Sequence, residues 1–329
     1  MANKLDFPVV ISRKTVGVSE RGFGTILILD NKAEKAWEII DEAKASSLSG
    51  AIGKIAQRIY MQKPAPFEVA VFGKTGTAKE ALTAVLDEHG GDFFWLVCTD
   101  NTTESIKALS ELAQVNNKIY AVTVNTVVNA KAVKAIESDN TFIMFHDDVD
   151  SYVAEALTVV MSHNVGGRTA KFKKIQGVRE ASISATDEAE LLKSNIFTYR
   201  RKLGVLQTTE GKCKSGEYID IVLGEYWIRF RMEEALQRRA LVEDKIPYTD
   251  RGIAMLVAEC EKVLKRAVDQ GIVEAKQYKI DYVSRADAPV NDVSNRVYNG
   301  IKWVALLQGA IHTGVISGVL TYDMVNEEE

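Results

Sequence analysis

Four apolar runs, FEVAVF (67–72), FFWLVC (93–98), IYAVTV (119–124) and TFIMF (141–145), recur along the first half of the chain. Each is followed by a segment with helical spacing, such as Ala78, Ala81, Leu82 and Val85, or Ile106, Leu109 and Ala113. A strand that is apolar at almost every position is buried on both faces. Repeated strand–helix units of this kind predict a mainly parallel sheet with helices on both sides.

Upstream of that rhythm, Phe7, Val9 and Ile11 alternate with Pro8, Val10 and Ser12, and a second extended run follows over Thr25–Leu29. Two readings of this stretch stand side by side: an arm plus a strand, or an edge strand of the chain's own sheet. Asp30 or Asn31 is placed to cap a helix with the stripe Ala33, Ala36, Trp37 and Ile40, and Glu34 completes a capping box with Asn31. Ile52, Ile55, Ala56, Ile59 and Tyr60 mark a second helix, stopped by Pro64 and Pro66.

Downstream of about Asn164 the pattern shortens, with a hairpin predicted through Thr209-Glu210-Gly211-Lys212. Helices are expected from about Glu225 to Leu241 and from about Asp250 to Gln270. The second carries Ile253, Leu256, Val257, Cys260, Val263, Leu264 and Ala267 on one side and stops at Gly271. A short segment at Asn291–Tyr298 and extended runs at Ile301–Leu307 and Ile311–Tyr322 close the chain. The fold class expected is α/β plus α+β. The divisions are an N-terminal arm and first strand (1–29), an α/β domain (30–170), a C-terminal α+β domain (171–313) and a C-terminal strand or arm (314–329).

Candidate chemistry is sparse. Gly73-Lys74-Thr75-Gly76-Thr77 sits between a strand and a helix, where a phosphate loop would sit. Its Lys and Thr precede the second glycine, however, and the loop is too short to wrap a phosphate. An ordinary turn with Thr77 as helix cap is the better reading. His146, Asp147, Asp148 and Asp150 follow the fourth strand at the edge where α/β enzymes bind ligands. The run lacks the Gly and distal Glu of a calcium loop, and Asp150 or Ser151 makes a good cap for a helix starting near Tyr152.

His89 and His163 precede glycine pairs and read as helix C-termini. The basic groupings Arg200-Arg201-Lys202 and Arg229, Arg231, Arg238 and Arg239 read as solvated faces, suited at most to protein contacts. No catalytic residue, cofactor site or metal site is expected.

The formal net charge of -4 supplies no field for nucleic acid, whose backbone needs clustered Lys and Arg. Cys98, Cys213 and Cys260 are odd in number and far apart, which suggests neither a disulfide framework nor a zinc site. No run approaches the ~20 apolar residues of a membrane span, and neither export nor membrane insertion is expected.

Several stretches in fixed order resemble the tail-sheath proteins of contractile-tailed phages and phage-like particles. They are Val10–Ser12, Arg21-Gly22-Phe23-Gly24-Thr25 and Ile26–Leu29; Tyr218–Val222 with Trp227 and Glu234-Ala235-Leu236; Ile246–Asp250 with Gly252-Ile253; Ala267–Gly271; then Gly300-Ile301 and Ala310–His312. The resemblance implies a subunit that polymerises around a tail tube and contracts to drive it through a host envelope, without hydrolysing nucleotide.

It implies as partners further copies of the chain, the tail tube protein, and baseplate and tail-terminator proteins. It implies location in a virion tail assembled in the host bacterial cytoplasm. It also implies strand exchange between subunits through the termini, with Phe7, Val9, Ile11, Ile316, Leu320 and Tyr322 as candidates. Asp292, Asn295 and Arg296, just before the last strands, become candidates for tube contact. The rival readings are an α/β nucleotide-binding enzyme using Gly73–Thr77 and Asp147–Asp150, and another tail protein such as a tube subunit. The long α/β region argues against the latter.

Overall fold

A computed structural model describes residues 22–318. The strands are β1 (Thr25–Asp30), β2 (Lys35–Ile40), β3 (Glu68–Gly73), β4 (Trp95–Cys98), β5 (Ile119–Val124), β6 (Thr141–Phe145), β7 (Ile196–Lys202) and β8 (Val205–Thr208). They form one 8-stranded sheet in the order β2-β3-β1-β4-β5-β6-β7-β8. All neighbours from β3 through β7 run parallel, and only β2 and β8 at the two ends are antiparallel.

Alternate strand residues enter two different cores, as the period of a strand requires. On one face Leu27, Leu29, Leu96, Val122 and Ile143 meet α3 (Ala78–His89), α4 (Thr103–Val115), α5 (Val127–Ala132) and α7 (Ala185–Lys193). On the other, Ile26, Ile28, Val97, Ala121 and Met144 share a core with α2 (Gly50–Tyr60), α6 (Val153–Ser162), α8 (Ile219–Val242) and α9 (Asp250–Gln270). Every residue of α6 is buried. A short helix α1 (Glu42–Ser47) precedes α2.

The parallel α/β arrangement and its four apolar strands are as the sequence predicts, and so is α9. Thr249 caps α9 through a bond from Gly252 N–H, and Gly271 ends it at φ 81, a conformation that glycine adopts without strain.

Other expectations are corrected. Thr25–Asp30 is an interior strand between β3 and β4, not an edge strand. The segment expected as a helix after Asn31 is β2, paired antiparallel with β3 through Glu38↔Val71 and Ile40↔Val69. Glu34, expected in a capping box, instead accepts a bond from Thr75 N–H at 2.8 Å.

The hairpin lies at β7–β8, not at Thr209–Lys212. Leu203 and Gly204 take φ 48 and 82, the left-handed pair that a two-residue primed turn needs. Neither Asp150 nor Ser151 caps α6. Its N-cap is Tyr152, in the left-handed region with no side-chain cap. Helix α8 begins at Ile219, earlier than expected, because Ile219, Val222 and Leu223 are drawn into the sheet-face core.

After α9 comes β9 (Val273–Tyr282), which the sequence reading passed over. It pairs antiparallel with β10 (Ile301–Leu307) in a separate 2-stranded sheet, and α10 (Val290–Ser294) lies between them. Of the extended run expected over Ile311–Tyr322, residues 311–318 form no regular strand, and residues 319–322 lie outside the described residues.

Candidate functional site

The turn after β3 is closed to a phosphate. Lys74 N–H donates to Asp30 O at 3.0 Å and Gly76 N–H to Asn31 O at 3.1 Å. Thr75 N–H is taken by Glu34, and Thr77 N–H donates to Glu80 Oε2 at 2.9 Å. A phosphate loop must leave successive N–H groups free to point at the ligand, and here they are spent on the end of β1, on Glu34 and on the first turn of α3. Thr77 caps α3 in a reciprocal box with Glu80, as its position predicts. Beside this turn, at the carboxyl ends of β1 and β4, Asn31 Nδ2 donates to Asp100 Oδ2 at 3.0 Å and Ser105 Oγ donates to the same oxygen at 2.7 Å. Thr99 Oγ1 donates to Asp30 Oδ1.

The His146–Asp150 run is likewise committed to structure. His146 Nε2 lies 3.0 Å from Arg179 O, a pure acceptor, so that nitrogen carries the proton. Nδ1 in turn accepts from Asp148 N–H at 3.0 Å. Both ring nitrogens are occupied, and burial pushes His146 toward its neutral form. Asp147 is held below the usual carboxylate range: burial opposes this, but bonds from Arg179 and from Ser182 N–H outweigh it. Asp150 pairs with Lys54 at 2.7 Å. Among the described residues no group of three or more His, Cys, Asp or Glu side chains is placed to hold a metal ion.

His89 ends α3 and stacks on Trp37 with 4.4 Å between ring centroids, and His163 caps the C-terminus of α6. The basic groupings are not simply solvated. Arg231 is buried against Glu234, Arg239 bridges Glu243 and Glu259, and Arg200 lies between Glu180 and Glu188.

Apolar surface and strand edge are left uncovered near the C-terminus. On β10, Ile301 and Ala305 turn toward the main core. Val304 and Leu306 point the other way and are 74% and 57% exposed. The outer edges of β9 and β10 carry no further strand among the described residues. Between β10 and α8 lies a cleft of about 540 Å³ lined chiefly by Ile228, Met232, Leu236, Trp303, Ala305 and Leu307.

The candidate tube-contact residues sit at the other end of the same sheet. Asp292 is half-buried beside a 390 Å³ cleft that it lines with Tyr248, Tyr298 and Lys302, while Asn295 and Arg296 are exposed. This loop is tied to the start of α9, where Tyr248 Oη donates to Val297 O at 3.0 Å. Of the strand-exchange candidates only Ile316 is described, and it is fully exposed at 100%. Phe7, Val9, Ile11, Leu320 and Tyr322 lie outside the described residues.

No protein-family model matches the sequence, and no curated protein matches it. Similar solved structures span nearly the whole chain. A chain of the anti-feeding prophage baseplate is similar at a TM-score of 0.70 and 13% identity, covering 97% of this chain and 100% of that one. A chain of the anti-feeding prophage helical sheath in the contracted state gives 0.68 and 12%, covering 98% and 100%. One from the PVC sheath complex of an extracellular contractile injection system, also contracted, gives 0.68 and 9%, covering 98% and 99%. The fold of this chain is therefore one found in the sheaths of contractile injection systems.

Proposed function

We propose that this chain is a structural subunit of a contractile sheath, polymerising with copies of itself around a tail tube in a phage or tail-like particle. The observation that carries the reading is the near full-length fold likeness to sheath chains. The exposed apolar face and open edges of the β9–β10 sheet support it independently. A two-stranded sheet is marginal alone and gains from additional strands, and an extended segment of a neighbouring copy supplies both main-chain bonds and apolar cover.

On this reading the termini, with Phe7, Val9, Ile11, Ile316, Leu320 and Tyr322, are the exchanged strands. Asp292, Asn295 and Arg296 face the tube. Baseplate and tail-terminator proteins bound the polymer, and assembly takes place in the host bacterial cytoplasm. The work of contraction comes from rearranged contacts between subunits, and no nucleotide is hydrolysed.

The test is negative-stain imaging of the purified chain, alone and with its tube protein, beside native mass measurement. Hollow cylinders are expected from the full chain. Deletion of Leu5–Lys14, or truncation after Thr313, is expected to give folded monomers that form none. A small oligomer that binds nucleotide would overturn the reading in favour of an α/β enzyme.

A further inference from the structure

Residues 308–318 leave the end of β10, and every side chain in that stretch is exposed except His312. The His312 side chain is only 7% exposed. Its Nδ1 lies 2.8 Å from Glu210 Oε1, and its Nε2 lies 2.6 Å from Thr169 Oγ1. The ring stands edge-on to Tyr218 at 4.8 Å.

The receiving groups belong to the body of the protein. Lys171 Nζ holds Glu210 at 3.2 Å. The 169–172 segment is bonded to β8, with Thr208 Oγ1 donating to Ala170 O at 2.6 Å and Phe172 N–H to Thr208 O at 3.2 Å. Glu210 stays below the usual carboxylate range, since bonds from Lys171 and His312 outweigh the opposing effect of burial.

We propose that His312 is a mechanical clasp, which passes a pull on the C-terminal segment to the eight-stranded body and keeps it off β10. The inference rests on the sheath reading, in which that segment tethers one copy to the next. Strand β10 is poorly built to bear such a load. Among the described residues it pairs only with β9, and a force applied after Leu307 meets its hydrogen bonds one at a time.

The ladder is also irregular at that end. Ala305 pairs with Tyr278 but Leu307 with Val273, so β9 bulges between them, with Lys276 at φ 62. Without a second anchor, peeling starts at Gln308, whose N–H donates to Ile272 O at 3.0 Å, and runs straight into the bulge. With one, the pull is met by two side-chain bonds seated on another part of the fold.

The clasp suits either charge state of the ring. Glu210 accepts from Nδ1–H in both, and the Thr169 hydroxyl donates to a bare Nε2 or accepts from a protonated one. The charged groups around it are Glu210, Lys171 and Asp220, with Lys212 over the Tyr218 ring.

The experiment is single-molecule pulling on the monomer, with handles on cysteines introduced by Val115→Cys and Gly318→Cys. The three native cysteines are buried and leave the label to these sites. The parent should show no extension before the body unfolds. His312→Ala should add an early, low-force step of at most roughly 40 Å, the contour of residues 301–312 at ~3.3 Å each, less the distance they already span in the fold. His312→Gln, which keeps a donor and an acceptor, should shift that step to higher force.

Identical traces for the parent and His312→Ala would overturn the clasp, and they decide it without any polymer. If the traces differ, His312→Ala sheaths should fragment on contraction, and intact contracted cylinders would overturn the mechanical role. Failure of the parent chain to form cylinders would count against the sheath reading alone.

Discussion

Val304 and Leu306 occupy the outward face of β10, and the substitutions Val304→Glu and Leu306→Gln test whether a second copy covers them. Glu at 304 stands directly opposite Lys279 in the antiparallel register, a pairing of opposite charges that keeps the hairpin intact. Both positions are mostly exposed in the single chain, at 74% and 57%, so its melting temperature should hardly move.

Fully burying a Val or Leu side chain is worth about 1.5–3 kcal/mol, so covering the exposed part of these two gives about 3 kcal/mol per contact. That energy corresponds to roughly a 100-fold change in association constant. The assay is the critical concentration for cylinder formation, read by sedimentation and checked by negative-stain imaging. A rise of roughly 100-fold or more is expected, since desolvating the new polar groups adds to the loss. Polymerisation at the parent's critical concentration would refute the reasoning and make this face an outer surface of the particle.

Lys74→Ala should leave assembly unchanged and alter no nucleotide affinity. Calorimetric detection of micromolar ATP or GTP binding, lost in the variant, would reverse that conclusion. Charge reversal at Asp292 and Arg296 together should weaken co-sedimentation with the tube protein more than it lowers the melting temperature, and undiminished co-assembly would remove them from the tube face.

Lys214 is 3% exposed, and burial brings its amino group down to about 8. Between that value and the ordinary ~10.4 the unfolded chain binds the extra proton and the folded chain does not, so stability rises with pH across this window. Urea midpoints should show a gain of roughly 1 kcal/mol from pH 7 to pH 9. Lys214→Met should lack that slope, and an equal slope in the variant would assign it to another group.

The parts of the fold that were legible share a physical cause. Strands β3 to β6 are covered on both faces, so their sequences are apolar almost throughout and need no partner to be recognised. Helix α9 is covered on one side and carries its own start and stop signals in Thr249 and Gly271.

The failures have causes too. KAWEII (35–40) fits a helical stripe and a strand equally well over so short a span, and the choice is made by β3, far along the chain. Helix α8 is buried nearly all round at its start, so it offers no polar side to contrast with an apolar one. Strand β9 is half exposed, polar, and broken in register by its bulge, which erases the alternation that marks a strand. At the candidate sites, the sequence reading of Gly73–Thr77 as a turn could rest on motif spacing alone. His312 could not be understood that way, because its partners lie 102 and 143 residues away and no local pattern announces them.

In a doubly wound sheet the place for a ligand is the crevice at the carboxyl ends of the strands, where the order of connections reverses. Here that point lies between β1 and β4, and the polar side chains around it are bonded to one another, with Asn31 Oδ1 buried there without a partner among the described residues. Asp30 is bonded to Thr99, Asn31 to Asp100, and Asp100 to Ser105. The neighbouring turn spends its N–H groups on Asp30, Asn31, Glu34 and Glu80.

Near the C-terminus the uncovered groups are of another kind: the apolar side chains of β10, the edges of a sheet that has two strands among the described residues, and a segment seated on the body through the buried side chain of His312. Small molecules make poor partners for a strand edge, whose alternating donors and acceptors are matched by another polypeptide backbone. The turn and side chains at this crevice are engaged with one another, whereas the β9–β10 edges and the outward face of β10 offer what an extended polypeptide can pair with.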